Sequence, residues 1–527
     1  MQNHQQKTLI MLALVICLCI GVAGLHGYYK EYFYEDEVLS YTISNSKNGG
    51  YFNLKANEWY RGSDLYDNLY VKKGEGFDWS NTLRNLKTDD HPPLYYLTLH
   101  AFSSFCSGGF SKWSGISINL IIFALMLIVL YLTFHELFPE RPYFPVLLCG
   151  LCGMNLGILG IAIYIRMYMQ LILATVLCMY WHVTSICRCK TKQTDSLAKE
   201  RFFWPIHALL VAVTLYGTMT HYFYLIFAFY AALFYCIYML YRKYFIRVLA
   251  YVLSMAVAAG IVLTLWNPII QQLFSEDAGS DTMGQQWSAS LIRFKISSMT
   301  NLLNEEVFGG KLKYVLIILL IFFVYHLVKE RHTLITSLKV RSEIVLILFT
   351  IILFYLTASV ITPYTAYRYV CPATVFIILI TVSLLEKTLN NILKSSLLGL
   401  ICISLFFIQP EVSSIKSGLV DVNRQIIDAY SSEHQNDICL YYAGITPEEN
   451  VFELRKFDRI YTFNDLNFSE VSGLRSADEI LLYIPDGEEP QKYVEAIQTE
   501  NPSLKYVDRL YVAYYSTCYI ISTSETT

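Results

Sequence analysis

Charge is what this sequence has least of. Only 16% of its 527 residues are Asp, Glu, Lys or Arg, against about 25% in an average soluble domain. That shortage excludes a string of ordinary soluble domains. A surplus of basic residues is missing too: the formal net charge is -3. A surface that tracks phosphates needs such a surplus, so a nucleic-acid partner is excluded. Paired zinc-type cysteine motifs are also missing. Cys149 and Cys152 have CxxC spacing but no second pair to match. Most of the 13 cysteines, such as Cys17, Cys149, Cys178 and Cys236, lie in apolar runs, where Cys acts as a small hydrophobe. Cys439 and Cys518 lie in a polar tail and read as buried strand thiols in preference to a disulfide. Internal repeats and ionisable residues at the centres of apolar runs are lacking as well, which speaks against a transporter.

What is present is apolar sequence. Hydrophobic residues make up 54% of the chain, and the mean hydropathy is +0.39. This composition implies a polytopic α-helical membrane protein, because lipid offers no partners for backbone N–H and C=O groups. Thr8–Leu25 has an apolar core of about 17 residues, longer than the 7–15 of a signal peptide, and reads as a retained anchor. The expected spans are Thr8–Gly27, Ile116–Phe134, Tyr143–Ile163, Met169–Ile186, Phe202–Thr220, Phe223–Leu240, Val248–Trp266, Lys313–Leu327, Ile344–Ile361, Val370–Leu385 and Leu397–Gln409. That makes about eleven transmembrane helices. Pro92–Phe105 is short and reads as a helix on the outer face. With that choice the basic residues fall on one side: Arg188, Lys190, Lys192, Lys199 and Arg201; Arg242, Lys243 and Arg247; Lys329, Arg331, Lys339 and Arg341; Lys387 and Lys394. The positive-inside rule makes that side cytoplasmic.

Two polar regions then face outward. The first loop predicts short surface helices over Glu37–Lys47 and Asn57–Tyr70. The tail predicts strands over Ile438–Tyr442, Ile480–Ile484 and Tyr511–Ile521, and helices over Val420–Ser432 and Pro490–Thr499. Asn267–Lys311 reads as a polar loop. The domain expectation is a catalytic membrane region over 1–410, with its first loop at 28–115, and a small extracytoplasmic α/β domain over 411–527.

The outward ends of the spans carry Asp36 and Glu37, His91, Arg166 with Tyr168, His221 with Tyr222, and Arg368. Taken singly, each has a plain reading. An acid beside a span is solvated, an Arg snorkels to headgroups, a His packs, and a Tyr belongs to the interfacial belt. Their shared side is the feature that needs a function. Two imidazoles and an acid, His91 and His221 among them, also have the chemistry to hold a divalent metal, though no tight His–His spacing backs it.

These residues resemble a family. Asp36-Glu37 after the first span and His91-Pro92-Pro93-Leu94-Tyr95-Tyr96 at the loop's end are two of its marks. Arg166-Met167-Tyr168, Thr220-His221-Tyr222 and Arg368-Tyr369 before Pro372 are the others. Together they are similar to the GT-C membrane glycosyltransferases, in the branch of bacterial relatives of protein O-mannosyltransferases and the lipid A aminoarabinose transferase. The resemblance covers Thr8 to Ala373. It departs where Asp90-His91-Pro92-Pro93 stands in place of an acid and a lysine before a single proline, which puts a lysine contact to phosphate in doubt.

The resemblance implies a multi-pass plasma-membrane enzyme. It would move a sugar from a polyprenyl-phosphate donor to an outer-face acceptor that is a glycan, lipid or protein. It makes Asp36 the general base, with Glu37 as its support. It makes Arg166 and Arg368 the stabilisers of the leaving phosphate, and His91, Tyr95, Tyr168, His221 and Tyr222 substrate-binding residues. No firm cofactor is implied. The alternative from another class is a transporter or flippase of a lipid-linked glycan.

Overall fold

The computed structural model describes residues 2–191, 203–274, 288–329, 341–393, 396–407, 422–513 and 515–524. The expected cytoplasmic residues Lys192, Lys199, Arg201, Arg331, Lys339 and Lys394 lie outside them, as do Gln409 and Pro410. The chain forms two compact units. One comprises Met1–Tyr28, Asp90–Tyr95 and Ile116–Ile415; the other comprises Tyr29–Asp89, Tyr96–Gly115 and Lys416–Thr527. The sequence assigned the first loop to the membrane region, whereas here most of it clusters with the tail.

The first unit is helical. Among the described residues, six helices are long and apolar enough to cross a membrane, or seven if one bent pair is a single span. The bent pair is Phe144–Gly153 with Leu156–Ile163, broken by 59°. The sequence predicted one straight span there. At the break, buried Asn155 donates from Nδ2 to the Val307 carbonyl at 2.9 Å. The other expected spans fall on the helices Phe203–Thr220, Leu312–Lys329, Cys371–Leu393 and Ser396–Phe407, which are not among those six or seven, against the eleven expected. The predicted polar loop Asn267–Lys311 is not all loop: it holds the helices Ile269–Phe274 and Ala289–Phe308. Buried Lys295 on the latter donates to the carbonyls of Val360 and Thr362 at 3.1 and 3.0 Å. A lysine at a helix C-terminus satisfies orphan carbonyls and opposes the negative dipole end.

The helix Tyr168–Thr191 is central, with 83% of its apolar window buried within the protein. It packs against Phe203–Thr220, Phe223–Tyr241, Ser342–Ile361 and Cys371–Leu393. The helix Phe245–Leu265 is peripheral at 17%, and it exposes Leu249, Val252, Leu253, Val257 and Leu263. Such an apolar face suits lipid and not water. The protein is a multi-pass membrane protein on these helices.

The second unit is built on a six-stranded sheet of order β1-β3-β2-β4-β6-β5. The strands are β1 Trp59–Tyr60, β2 Ile438–Tyr442, β3 Ile460–Phe463, β4 Glu479–Pro485, β5 Tyr506–Val512 and β6 Ser516–Ser522. β3, β2 and β4 run parallel, and the outer pairings are antiparallel. The predicted single strand Tyr511–Ile521 is in fact the hairpin of β5 and β6. Apolar residues run on from one strand into the next, so the sequence carries no mark of the break between them. The helices Val422–Ser431 and Gln491–Glu500 match expectation, while Pro447–Leu454 and β3 were not foreseen.

The first loop also differs from its reading. Asn57–Tyr70 is not a helix throughout. It gives β1, which pairs Trp59 with Tyr461 and Tyr60 with Ile460, then the short helix Gly62–Tyr66. A Cβ at Gly62 would collide with the Leu454 carbonyl, so only glycine allows this approach. The predicted surface helix Glu37–Lys47 is the helix Glu35–Asn45, and it is buried from Glu37 onward. Its serines and threonine look polar in sequence, yet they bond to nearby backbone: Ser40 to the Asp36 carbonyl and Ser44 to the Ser40 carbonyl. Phe33 stacks on Phe452 at 4.9 Å, and Phe110 meets both edge-on at 5.6 and 5.1 Å. These rings join loop and tail in one apolar core. Cys439 and Cys518 are buried free thiols in this unit.

Candidate functional site

In the helical unit the predicted residues meet at three chain turns. The first follows the bent pair. Arg166 N donates to the Tyr164 carbonyl at 2.8 Å, and that oxygen also accepts from Asn119 Nδ2 at 2.6 Å. Asn119 is fully buried in the helix Lys112–Leu137. It pins the turn that presents Arg166, which is 4% exposed. The second turn is Tyr367–Tyr369, a short 3-10 segment. Tyr367 shares a hydrogen bond with Thr374 at 2.8 Å, and its ring fills the space that a side chain at Gly157 would need. Arg368 donates from Nη1 to the Tyr164 hydroxyl at 3.2 Å and lies 5.3 Å from the Tyr369 ring centroid. The third turn joins the helices Phe203–Thr220 and Phe223–Tyr241. There His221 Nδ1 accepts from Phe223 N at 3.1 Å.

Aromatic contacts link the turns. Tyr164 stacks on Tyr168 at 6.0 Å, Tyr168 lies 5.5 Å from His221, and His221 meets His91 edge-on at 6.1 Å. Tyr369 touches Tyr168 at 6.4 Å and Phe223 at 5.6 Å. His91, Tyr168, His221 and Arg368 therefore share one connected site. Arg166 is close enough that its charge acts on His221.

Burial is the main cause that holds His221 well below the usual histidine range, and the electrostatic influence of His91 and then Arg166 adds to it. His221 is therefore neutral at physiological pH. Since Nδ1 accepts, the proton sits on Nε2, which makes that atom a neutral donor. The arrangement offers guanidinium donors for an anion, aromatic faces for a sugar, and an uncharged N–H.

Two further predicted residues are not among these linked rings. Tyr222 hydrogen-bonds to Gln272 Oε1, which also accepts from Trp266 Nε1 at 2.9 Å. Tyr95 is fully buried at the start of the helix Leu94–Phe105. Among the described residues, His91 and His221 belong to no group of three or more metal-ligating side chains close enough to share an ion. Sequence reasoning missed Asn119, Tyr164, Phe223 and Gln272, and quoted Tyr369 within a motif without giving it a role. Asn119 alone carried a signal, as an amide inside an apolar run.

In the sheet unit, Asp36 and Glu37 open the helix Glu35–Asn45. Glu37 is wholly buried. Its Oε2 accepts from Lys30 Nζ and from Tyr34 N, both at 3.0 Å. This ties the carboxylate to the helix start, where an acid is favoured by the dipole. Asp36, one residue earlier, is half-buried.

A separate apolar cavity of about 560 Å³ lies in the helical unit. Met11, Leu18, Phe144 and Leu400 line it, with Arg141 and Glu386 paired at 2.8 Å. None of the predicted site residues lines it.

A helical membrane unit joined in sequence to an α/β sheet unit places the chain in the class of multi-pass membrane proteins that carry a sheet domain. In particular, the structure is similar to that of ArnT from Cupriavidus metallidurans. In its apo state the TM-score is 0.50 at 9% identity, covering 96% of this chain and 97% of that one. In the form bound to undecaprenyl phosphate the TM-score is 0.51 at 8% identity, covering 98% of each. At these identities the likeness is one of fold. No family model matches the sequence, and no curated protein does.

Proposed function

We propose that this protein transfers a sugar from a polyprenyl-phosphate donor to an acceptor on the outer face of the plasma membrane. The single observation that carries the reading is the connected site of His91, Tyr164, Tyr168, His221, Arg368 and Tyr369, with Arg166 beside it. The fold likeness to a protein bound to undecaprenyl phosphate supports it.

In this reading Arg166 and Arg368 bind the lipid phosphate and oppose the negative charge that grows on it as the glycosidic bond breaks. Guanidinium suits that task because its planar fork matches phosphate oxygens. Stabilising charge where it develops is a large catalytic contribution. Neutral His221 donates from Nε2 without adding a further cation to a crowded positive site. Tyr168 and Tyr369 face the sugar. Asp36 is the general base that takes the acceptor's proton. Glu37 is committed to Lys30 and Tyr34, so it is a positioning residue for the turn that carries Asp36.

The test is to incubate the purified protein with a panel of polyprenyl-phosphate monosaccharides and follow donor loss by mass spectrometry. Asp36→Asn is expected to lose roughly 10²–10⁴-fold in turnover while still binding the donor. Wild-type turnover by that variant would remove the base assignment. Donor movement across vesicles without sugar transfer would replace the enzyme by a flippase.

A further inference from the structure

A second cluster lies in the sheet unit, and the transfer reading does not use it. His434 and Asp437 flank the turn that leads into β2, where Asp437 N donates to the His434 carbonyl at 3.2 Å. Glu479 is the first residue of β4, whose Ile480 is in register with Ile438 of β2. Neighbouring parallel strands thus bring the three side chains to one end of the sheet. His434 Nδ1 is 2.7 Å from Asp437 Oδ2 and 3.5 Å from Glu479 Oε1. One ligand atom from each residue lies within 4.8 Å of the others.

We infer that His434, Asp437 and Glu479 form a binding site for a divalent cation of the Zn²⁺ type. Zn–N and Zn–O bonds of about 2.0–2.2 Å place neighbouring ligand atoms roughly 3–3.5 Å apart. His434 and Glu479 already stand at 3.5 Å, and Asp437, hydrogen-bonded at 2.7 Å, would move outward by less than about 1 Å. One imidazole with two carboxylates is a donor set suited to Zn²⁺ or Mn²⁺ and unsuited to Cu(I) or iron–sulfur clusters.

The ligands are held in place by a further residue. The Tyr430 ring stacks on His434 at 4.3 Å and 10°, and its hydroxyl donates to Glu479 Oε1. Outer partners of this kind fix ring orientation and ligand basicity. Access is open: His434, Asp437 and Glu479 side chains are 34%, 31% and 18% exposed. They line a polar cavity of about 480 Å³ together with Asp478, Ser476 and Ser522. Water entering from the cavity would complete the shell on that side. Arg459 also lines the cavity, but its guanidinium is engaged by the Ser472 carbonyl and the Trp59 ring. A bound ion would clip the turn before β2 to the start of β4.

The plain alternative is a hydrogen-bonded cluster of imidazole and carboxylates that takes no metal. Equilibrium dialysis of the full-length, chelator-stripped protein against Zn²⁺ alone separates the two. Wild type is expected to retain one Zn²⁺ per chain more than His434→Ala and Glu479→Gln. Tyr430→Phe is expected to weaken binding by about 10-fold or more. Glu479→Gln keeps the size of the side chain and an acceptor for Tyr430, so it guards against loss by unfolding, as does an unchanged circular dichroism spectrum. Substitution with Co²⁺ is expected to give a visible absorption band in wild type that Glu479→Gln lacks. Equal Zn²⁺ uptake by wild type and both variants, or no uptake by wild type, would overturn the site.

Discussion

The two units solve one problem in different ways: what to do with ionisable groups kept from water. In the helical unit, His221 gives up its charge, since burial, with His91 and Arg166 beside it, leaves the neutral imidazole as the favoured form. In the sheet unit, the buried Glu37 carboxylate is instead met by partners, Lys30 Nζ and the Tyr34 N–H. A third case, Glu449 in the helix Pro447–Leu454, keeps its proton. Burial first, then the carboxylates of Glu35 and Glu448, push it up to about 8. A charge out of water must therefore be matched or discharged. Matched charge marks structure here, and discharged charge beside cations marks the proposed site.

Arg166→Ala is the largest expected break in that comparison. Turnover should fall by roughly 10²–10³-fold, as for loss of one charge-stabilising donor. With a positive neighbour gone, the titration of His221 should also move upward, read as a shifted acidic limb in the pH–rate profile. If turnover falls and the acidic limb does not move, Arg166 does not set the protonation of His221.

Lys30→Met comes next. It strands a buried carboxylate, and the expected loss is about 3–5 kcal/mol of stability in denaturant unfolding. The double variant Lys30→Met/Glu37→Gln should recover most of it. A double variant as unstable as the single one would mean that the pair is not the source of the loss.

Glu449→Gln tests the discharged acid. The folded state holds its proton up to about 8, while an unfolded glutamate releases it near 4.5. Folding stability should therefore decline as pH rises from about 4.5 to about 8 and level off beyond. The variant should flatten that slope and gain about 1 kcal/mol at pH 8, or ~2–4 °C in melting temperature. It should gain nothing at pH 4. The smallest effect belongs to Tyr222→Phe. Removing its hydroxyl from Gln272 should cost about 0.5–1.5 kcal/mol in stability and leave turnover within ~10-fold of wild type. A larger loss of turnover would return Tyr222 to the substrate.

Much of the helical unit was legible because apolar runs leave the backbone one choice. Tyr168, His221 and Arg368 were legible as polar residues at the ends of such runs. The break at Asn155 was not, since Leu156–Ile163 continues the apolar pattern and only the bond to Val307 shows why the chain bends. The helix Ala289–Phe308 hid in a stretch read as polar loop. Its Lys295 looks solvated in sequence and proves buried because it caps another helix. The helix Glu35–Asn45 misled for a like reason. Its serines and threonine signal surface, but Asn85 Nδ2 donates to the Ile43 and Ser46 carbonyls at 3.2 and 2.9 Å, which makes a polar interior.

The sequence by itself determined where the chain must be helical and apolar, because lipid leaves unpaired backbone groups nowhere to go. It also determined which residue types stand at the turns between those runs. Only the tertiary structure decided which of these meet. That depends on partners far apart in the chain: Asn119 on Tyr164, Tyr164 on Arg368, Trp59 on Tyr461, His434 on Glu479. Such contacts follow from register and packing, which no local run of residues encodes.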